Sequence, residues 1–210
     1  MANEQPNILY TIGHSNHTIE HFVGLLKQHE VTCVVDVRSR PYSHYCIQFN
    51  RECLAAALQN AKIEYVYLGD QLGARPNDAH CYDGDCVDFE YLARTEQFTL
   101  GLNRLIDVAS KHRVALMCSE KDPLECHRFI LICKHLRGRD FRIKHILADG
   151  STEDHGDSER RLIKMLKIEP TIFEPMKTQA DLLEQAYEQQ AQKIAHSTEL
   201  LSKTHHAVTS

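Results

Sequence analysis

Val31-Thr-Cys-Val-Val-Asp-Val37 is almost continuously apolar, broken near its end by Asp36. β-Branched side chains favour an extended chain, and a strand apolar on both faces is covered on both faces, as in a parallel sheet. The same pattern recurs outward from this stretch. Upstream, Ile8-Leu-Tyr-Thr-Ile12 is a shorter apolar run closed by Gly13. Downstream, Glu64 to Leu68, Val114 to Met117 and Arg142 to Leu147 read as further strands, the last ended by Asp149-Gly150.

Helical spacing fills the gaps between these strands. Thr18 can cap a helix with Glu20 in its first turn, and Ile19, Phe22, Val23 and Leu26 follow at helical intervals. Asn50 opens a second helix, whose apolar face reads as Cys53, Leu54, Ala57, Leu58 and Ala61. Phe98, Leu102, Leu105, Ile106 and Ala109 mark a third. Pro123 sits where the first turn of a fourth would begin, and Ile130, Cys133, Lys134 and Leu136 carry it to Gly138. This alternation predicts a three-layer α/β fold: a mainly parallel five-stranded sheet with helices on both faces.

The expected division is an α/β domain over residues 1–168 and a C-terminal helical extension over 169–210. Ser158 to Lys167 reads as a short helix closing the domain, and Pro170 and Pro175 bracket a loop. Thr178 opens a long helix through Leu182, Leu183, Ala186, Tyr187, Ala191 and Ile194, with Ser202 to Ser210 as a frayed end. Gly69 to Phe89 is a long polar stretch, and connections of that length are usually functional or mobile.

Lys and Arg number 24 against 29 Asp and Glu, a net charge of −5. Bulk attraction to nucleic acid therefore has no global driving force, although a local basic groove stays open. No apolar run approaches the ~20 residues of a membrane span. Met1 to Asn7 is polar and lacks a signal-peptide pattern, so a soluble, cytoplasmic protein is the expectation. The eight cysteines fit that setting as reduced residues, since Cys33, Cys53, Cys118 and Cys133 fall in apolar runs or on helix faces. A homo-oligomer stays open.

Ligands of open parallel sheets bind beyond the carboxyl ends of the strands. There the chain places His14-Ser15-Asn16 after strand one, Asp36 and Arg38 at strand two, and Cys118, Glu120, Cys126, His127 and Arg128 after strand four. Cys118 at a strand end is either an inert core thiol or a sulfur at the mouth of the crevice. Cys126 falls in the first turn of the next helix, where partial positive charge favours a thiolate, and His127 could exchange its proton. Arg128 and Arg38 could hold an anion in fork geometry.

His14, Ser15 and Asn16 could donate to a phosphate or simply cap a helix. Asp36, in an apolar strand, must find a partner, with Arg38 or His14 at hand. Arg40 and Arg75 add local positive charge, and Tyr42, Tyr45 and Phe49 could stack on a base or merely anchor the loop. Two sulfurs and a ring nitrogen at Cys118, Cys126 and His127 would also suit zinc. Cys81 and Cys86, beside His80, Asp83, Asp85 and Asp88, form a second candidate clip. The GxGxxG fingerprint of dinucleotide binding is absent. No cofactor is specified at this level.

Several segments resemble the bacterial and archaeal family called domain of unknown function 488. They are Thr11-Ile-Gly-His-Ser-Asn16, Val35-Asp-Val-Arg-Ser39, Gln48-Phe-Asn50, Glu64-Tyr-Val66 with Leu72-Gly73, Met117-Cys-Ser-Glu120 and Cys126-His-Arg128. His145-Ile-Leu147, Asp149-Gly150 and His155 continue the likeness, which spans about residues 8 to 168. It implies an α/β fold and no established activity. A looser likeness to rhodanese-like sulfurtransferases rests on Asp36-Val-Arg38 and on Cys118, although no compact anion-wrapping loop follows that cysteine.

Two functions follow as expectations. One is an enzyme acting on an anionic, phosphate-bearing ligand, a nucleotide or a nucleic-acid end. Its Cys118, Glu120, Cys126 and His127 would be catalytic, and His14, Ser15, Asn16, Asp36, Arg38 and Arg128 would bind the ligand. The other is a module that binds a nucleotide, nucleic acid or protein without chemistry.

Overall fold

The computed structural model describes residues 7–169 and 178–206, with side chains described through Ala195. In chain order the elements are β1 (Asn7–Gly13), α1 (Ile19–Gln28), β2 (Cys33–Asp36), α2 (Arg51–Asn60), β3 (Glu64–Tyr67), α3 (Gly69–Leu72), β4 (Tyr82–Asp83), β5 (Cys86–Val87), α4 (Phe89–Arg94), α5 (Glu96–Ala109) and β6 (Val114–Cys118). They continue with α6 (Lys134–Leu136), β7 (Phe141–Ile146), β8 (Thr152–Asp154), α7 (His155–Leu166) and α8 (Gln179–His206). A 3₁₀ turn, Pro123–Glu125, and π-helical turns, Arg128–Cys133, lead into α6.

The main sheet has six strands in the order β3-β2-β6-β1-β7-β8. Five are parallel, as the apolar runs predict, and β8 adds an antiparallel edge along β7. The sixth strand corrects the expectation of five. Its three residues, Thr-Glu-Asp, carry no apolar run and pair through the tight return at Gly150, where φ is +85°.

Every residue of β2 and β6 is buried, which is why these strands are apolar on both faces. Alternate residues divide between two cores. Tyr10, Ile12, Val34, Ala115 and Met117 face Phe22, Leu26, Leu54 and Leu58 of α1 and α2. Leu9, Cys33, Val35, Leu116 and Cys118 face the opposite side, with α5, the π-helical turns, α7 and α8. The period of two thus puts Cys118 on the side where the next helix begins.

Helix α8 lays Leu183, Ala186, Tyr187 and Ile194 on this second core, so its apolar stripe is covered by its own chain. A buried polar chain ties it to the sheet. Thr11 Oγ1 meets His145 Nδ1 at 2.8 Å, His145 Nε2 meets His155 Nδ1 at 3.1 Å, and Tyr187 Oη meets His155 Nε2 at 3.1 Å. Tyr187 also donates to Glu159 at 2.8 Å.

Other differences from the sequence reading are local. Cys53 is exposed, because Leu54 and Leu58 define the buried face of α2. The polar stretch after β3 is built from α3, a 3₁₀ turn and the β4–β5 hairpin. Helix α8 runs on to His206, past Ser202, while the Pro170–Pro175 loop and residues 207–210 lie outside the described residues. Among the described residues, no helix is long and apolar enough to cross a membrane.

Candidate functional site

The order β2-β6-β1 makes neighbours of three loops that are far apart in sequence. Beyond β1 the backbone stays attached to the chain leaving β6: His14 N donates to Cys118 O and Ser15 N to Ser119 O, both at 2.9 Å. Gly13 permits this approach, since a Cβ there would lie 1.8 Å from the carbonyl oxygen of Glu120. Residues 119–125 then cross the sheet edge. Asp122 caps the 3₁₀ turn through Leu124 N at 2.9 Å and is clamped by both terminal nitrogens of Arg161. This anchor has no signature in sequence spacing.

Cys126 is not inside the first helical turn, as the sequence suggested. Its backbone is extended, with φ −133° and ψ 142°, and its carbonyl accepts from Phe129 N as the helix starts. From that position its sulfur turns back toward β6. Cys118 Sγ lies 3.7 Å and Cys126 Sγ 3.8 Å from the same atom, His127 Nδ1. The three donor atoms fall within 4.8 Å of one another, and all three residues are buried. The opposite ring nitrogen, Nε2, donates to Val37 O at 3.1 Å. In the neutral ring that bond holds the proton on Nε2 and leaves Nδ1 as the lone-pair nitrogen facing the two sulfurs.

Glu120 and Arg128 complete this cluster. Cys126 Sγ and Glu120 Oε2 are hydrogen-bonded at 2.9 Å, although 41% of the Glu120 side chain is exposed. Arg128 is 1% exposed. It donates through Nη1 to Glu120 O at 2.9 Å and through Nη2 to Lys121 O at 3.4 Å, while its Nε is buried without a partner.

Electrostatics separate the two thiols. Burial and then the adjoining Cys126 push Cys118 well above the ordinary thiol range. Burial acts the same way on Cys126, but the Cys118 hydrogen bond, the Arg128 guanidinium and His127 outweigh it and hold Cys126 well below that range. Burial, followed by the charge on Cys126, raises Glu120. His127 is raised against its burial by Cys126 and Glu120. Carboxyl and thiol are thus driven toward one another in proton affinity across the 2.9 Å contact.

A second polar cluster adjoins the first. Asp36, fully buried, accepts from Arg38 Nε at 2.9 Å, Arg38 Nη2 at 2.7 Å and Tyr65 Oη at 2.8 Å. Arg38 also reaches Phe49 O at 2.9 Å and His14 Nε2 at 3.2 Å. His14 stacks on Phe49 with ring centroids 4.4 Å apart and donates from Nδ1 to Ser15 O. Burial, then Arg38, lowers His14 to about 4, so the ring is neutral and its Nε2 accepts from the guanidinium.

Close to Glu120, Arg75 joins the Arg38–Arg40 loop through Arg75 N to Ser39 Oγ at 2.9 Å. Burial and then the charge of Arg40 lower Arg75, with Tyr82 and Glu120 acting the other way. Lys121 stands exposed on the far side, near His17. No carboxylate among the described residues forms an ion pair with Arg40, Arg75 or Lys121.

The sequence-nominated residues therefore collect at one edge in two adjoining groups. Cys118, Glu120, Cys126, His127 and Arg128 form one; His14, Asp36 and Arg38 form the other. Ser15, at φ 47°, contributes its backbone, and Asn16 is exposed with its Oδ1 accepting from Ser15 Oγ. Thr18, rather than either of them, caps α1. Tyr65 and the carbonyls of Val37 and Phe49 are site partners that the sequence did not nominate. Among the described residues, the convergence of three potential metal donors is Cys118, Cys126 and His127. Cys81 is buried in the core and His80 is exposed against Asp78, and among the described residues the second candidate clip forms no convergence of donors.

Fold and site together define an α/β protein with a buried dithiol–imidazole cluster at the carboxyl edge of a parallel sheet. The family model described as domain of unknown function DUF488 matches residues 18–134, and the chain belongs to that family. The match is narrower than the segments that suggested it, but it contains Asp36, Arg38 and the whole thiol cluster. No curated protein and no solved structure matches the chain, so the rhodanese likeness gains no support.

Proposed function

We propose that this chain is an enzyme acting on an anionic, phosphate-bearing ligand, a nucleotide or a nucleic-acid end, seated over the Cys118–Cys126–His127 cluster. The observation that carries the reading is the position of Glu120. Its side chain is 41% exposed, yet one carboxyl oxygen is 2.9 Å from a buried sulfur. It is the group that can exchange protons between solvent and the cluster, which is what general acid–base chemistry requires.

In this reading Cys118, Cys126 and His127 form the reacting centre and Glu120 moves the proton. The ligand's charge is met by Arg40, Arg75 and Lys121, which form no ion pair with a carboxylate among the described residues. Arg38 and Arg128 act on the ligand through the walls, because their forks are committed to Asp36 and to the 119–121 backbone. His14, Ser15 and Asn16 line the same side, with Asn16 reaching solvent. A cationic rim over a low-dielectric centre is the arrangement that stabilises charge developing on a phosphoryl group.

The test is a panel of nucleoside phosphates and end-phosphorylated oligonucleotides, scored for product and for thermal shift. Product from at least one class supports the enzyme. A shift without product supports a binding module. Neither shift nor product across the panel contradicts phosphate recognition altogether.

A further inference from the structure

We infer that Cys118, Cys126 and His127 are three ligands of a zinc ion whose fourth position opens toward Glu120. The inference deepens the reading of this cluster as the reacting centre, but it does not depend on what the ligand is.

The distances are the first argument. His127 Nδ1 is 3.7 and 3.8 Å from the two sulfurs. A catalytic Cys–His pair singles out one sulfur, and this imidazole singles out neither. Instead it is equally spaced from both thiols, as two sulfurs and a nitrogen are around a shared cation. Zn–S bonds of ~2.3 Å and Zn–N bonds of ~2.0 Å at tetrahedral angles place sulfur and nitrogen roughly 3.5 Å apart. Both sulfur–nitrogen distances are within a few tenths of an ångström of that value, and all three atoms lie within 4.8 Å of one another.

The surroundings are the second. Metal-bound histidine characteristically donates its other N–H to a carbonyl or carboxylate, which fixes tautomer and ring direction. His127 does so to Val37 O at 3.1 Å. Cys126 Sγ receives the Arg128 amide N–H at 3.5 Å, the kind of bond that steadies a ligating thiolate. Charge also closes: two thiolates balance a dication, and Arg128 balances Glu120. A thiolate and imidazole set selects a borderline-soft ion over magnesium or calcium.

The donor count is the third. Glu120 touches Cys126 but does not join the mutual convergence of the other three. Three protein ligands with a vacant corner is the pattern of a catalytic zinc, whereas structural zinc is closed by four. Glu120 beside that corner is placed to take a proton from a zinc-bound water.

The experiment uses the full chain, stripped with a chelator and titrated with cobalt(II) alone as a spectroscopic substitute. The expected result is a sulfur-to-cobalt charge-transfer band with intense tetrahedral ligand-field bands, saturating at one equivalent and displaced by zinc. X-ray absorption of the cobalt-loaded protein should then count two sulfurs and one imidazole. Cys118→Ser and Cys126→Ser should each lose one sulfur from that count, whereas Glu120→Gln should keep the spectrum. Absence of the charge-transfer band in the parent chain overturns the inference, even if the serine variants fail to fold, and so does any other ligand count. A metal-loaded protein that turns over no phosphate ester contradicts the proposed function and leaves the metal site intact. Turnover without metal does the reverse.

Discussion

Cys126 Sγ and Glu120 Oε2 lie 2.9 Å apart, joining a sulfur sealed in the core to the carboxyl group of a side chain that is 41% exposed. The contact depends on the 119–125 segment lying flat across the end of β1. Replacing Gly13 by Ala puts a Cβ 1.8 Å from Glu120 O and 3.3 Å from Arg128 Nη2. Backbone has to move to relieve it. The expected loss is about 1–3 kcal/mol of stability, with turnover falling further than stability does. Denaturant melts and initial rates on the same preparation check both; an unchanged rate contradicts the placement of Glu120.

Asp36 and Arg38 are a buried pair, with Tyr65 and the Arg38 amide also directed at the carboxylate. Asp36→Asn keeps the shape and leaves the guanidinium without its counter-charge. Removing one partner of such a pair costs about 3–5 kcal/mol. A shift of the urea midpoint corresponding to less than about 1 kcal/mol would mean that solvent reaches Arg38.

His145 and His155 should make the fold acid-sensitive. Burial first, then Arg137, lowers His155 to about 4, and burial, His155, Arg128 and Arg161 hold His145 well below its ordinary value. Thr11, Tyr187, Glu159 and Arg137 face the pair from β1, α8, α7 and the turn after α6. Unfolded histidines take up protons near pH 6.5, folded His155 only near 4, and folded His145 well below its ordinary range. Stability is therefore complete above pH 6.5 and declines as pH falls toward 4, by on the order of 3 kcal/mol for His155 alone. Stability that stays level from pH 7 to pH 4 contradicts the neutral histidine chain.

Arg75 is the cation whose charge is opposed by that of Arg40 and which forms no ion pair among the described residues. Arg75→Ala should raise KM for a phosphate-bearing substrate by roughly tenfold with kcat nearly unchanged, the signature of lost ligand binding. The parent enzyme should lose affinity with added salt more steeply than the variant. Equal salt slopes would remove Arg75 from the anion surface.

What was legible in the sequence was whatever buried periodicity carries. Val31 to Val37 gave away a doubly covered strand because both of its faces are packed, and the five parallel strands followed. The collection of the candidate residues at one sheet edge was legible too, since each group follows a strand and parallel strands end on one side. Partners fixed by strand order were not. His127 bonds to the carbonyl of Val37 because β2 lies beside β6, a neighbour relation that local spacing does not encode. Tyr65 reaches Asp36 from the adjacent strand for the same reason. Short polar elements such as β8 escaped because hydrogen bonding to a formed sheet, rather than its own residues, makes it a strand. Cys126 was placed one turn too deep because the break at Glu125–Cys126 lies in backbone angles, not in residue type.

The most direct measurement is the rate at which the parent chain and Glu120→Gln form product from the same phosphate-bearing substrate, at pH values spanning neutrality. The substitution keeps size and polarity at the rim and removes the proton-carrying group. The account predicts product from the parent chain and a loss of about 10²–10⁴-fold in kcat for the variant, with both proteins melting alike. Equal rates, or no product from the parent chain on any nucleotide or phosphorylated end, would contradict it.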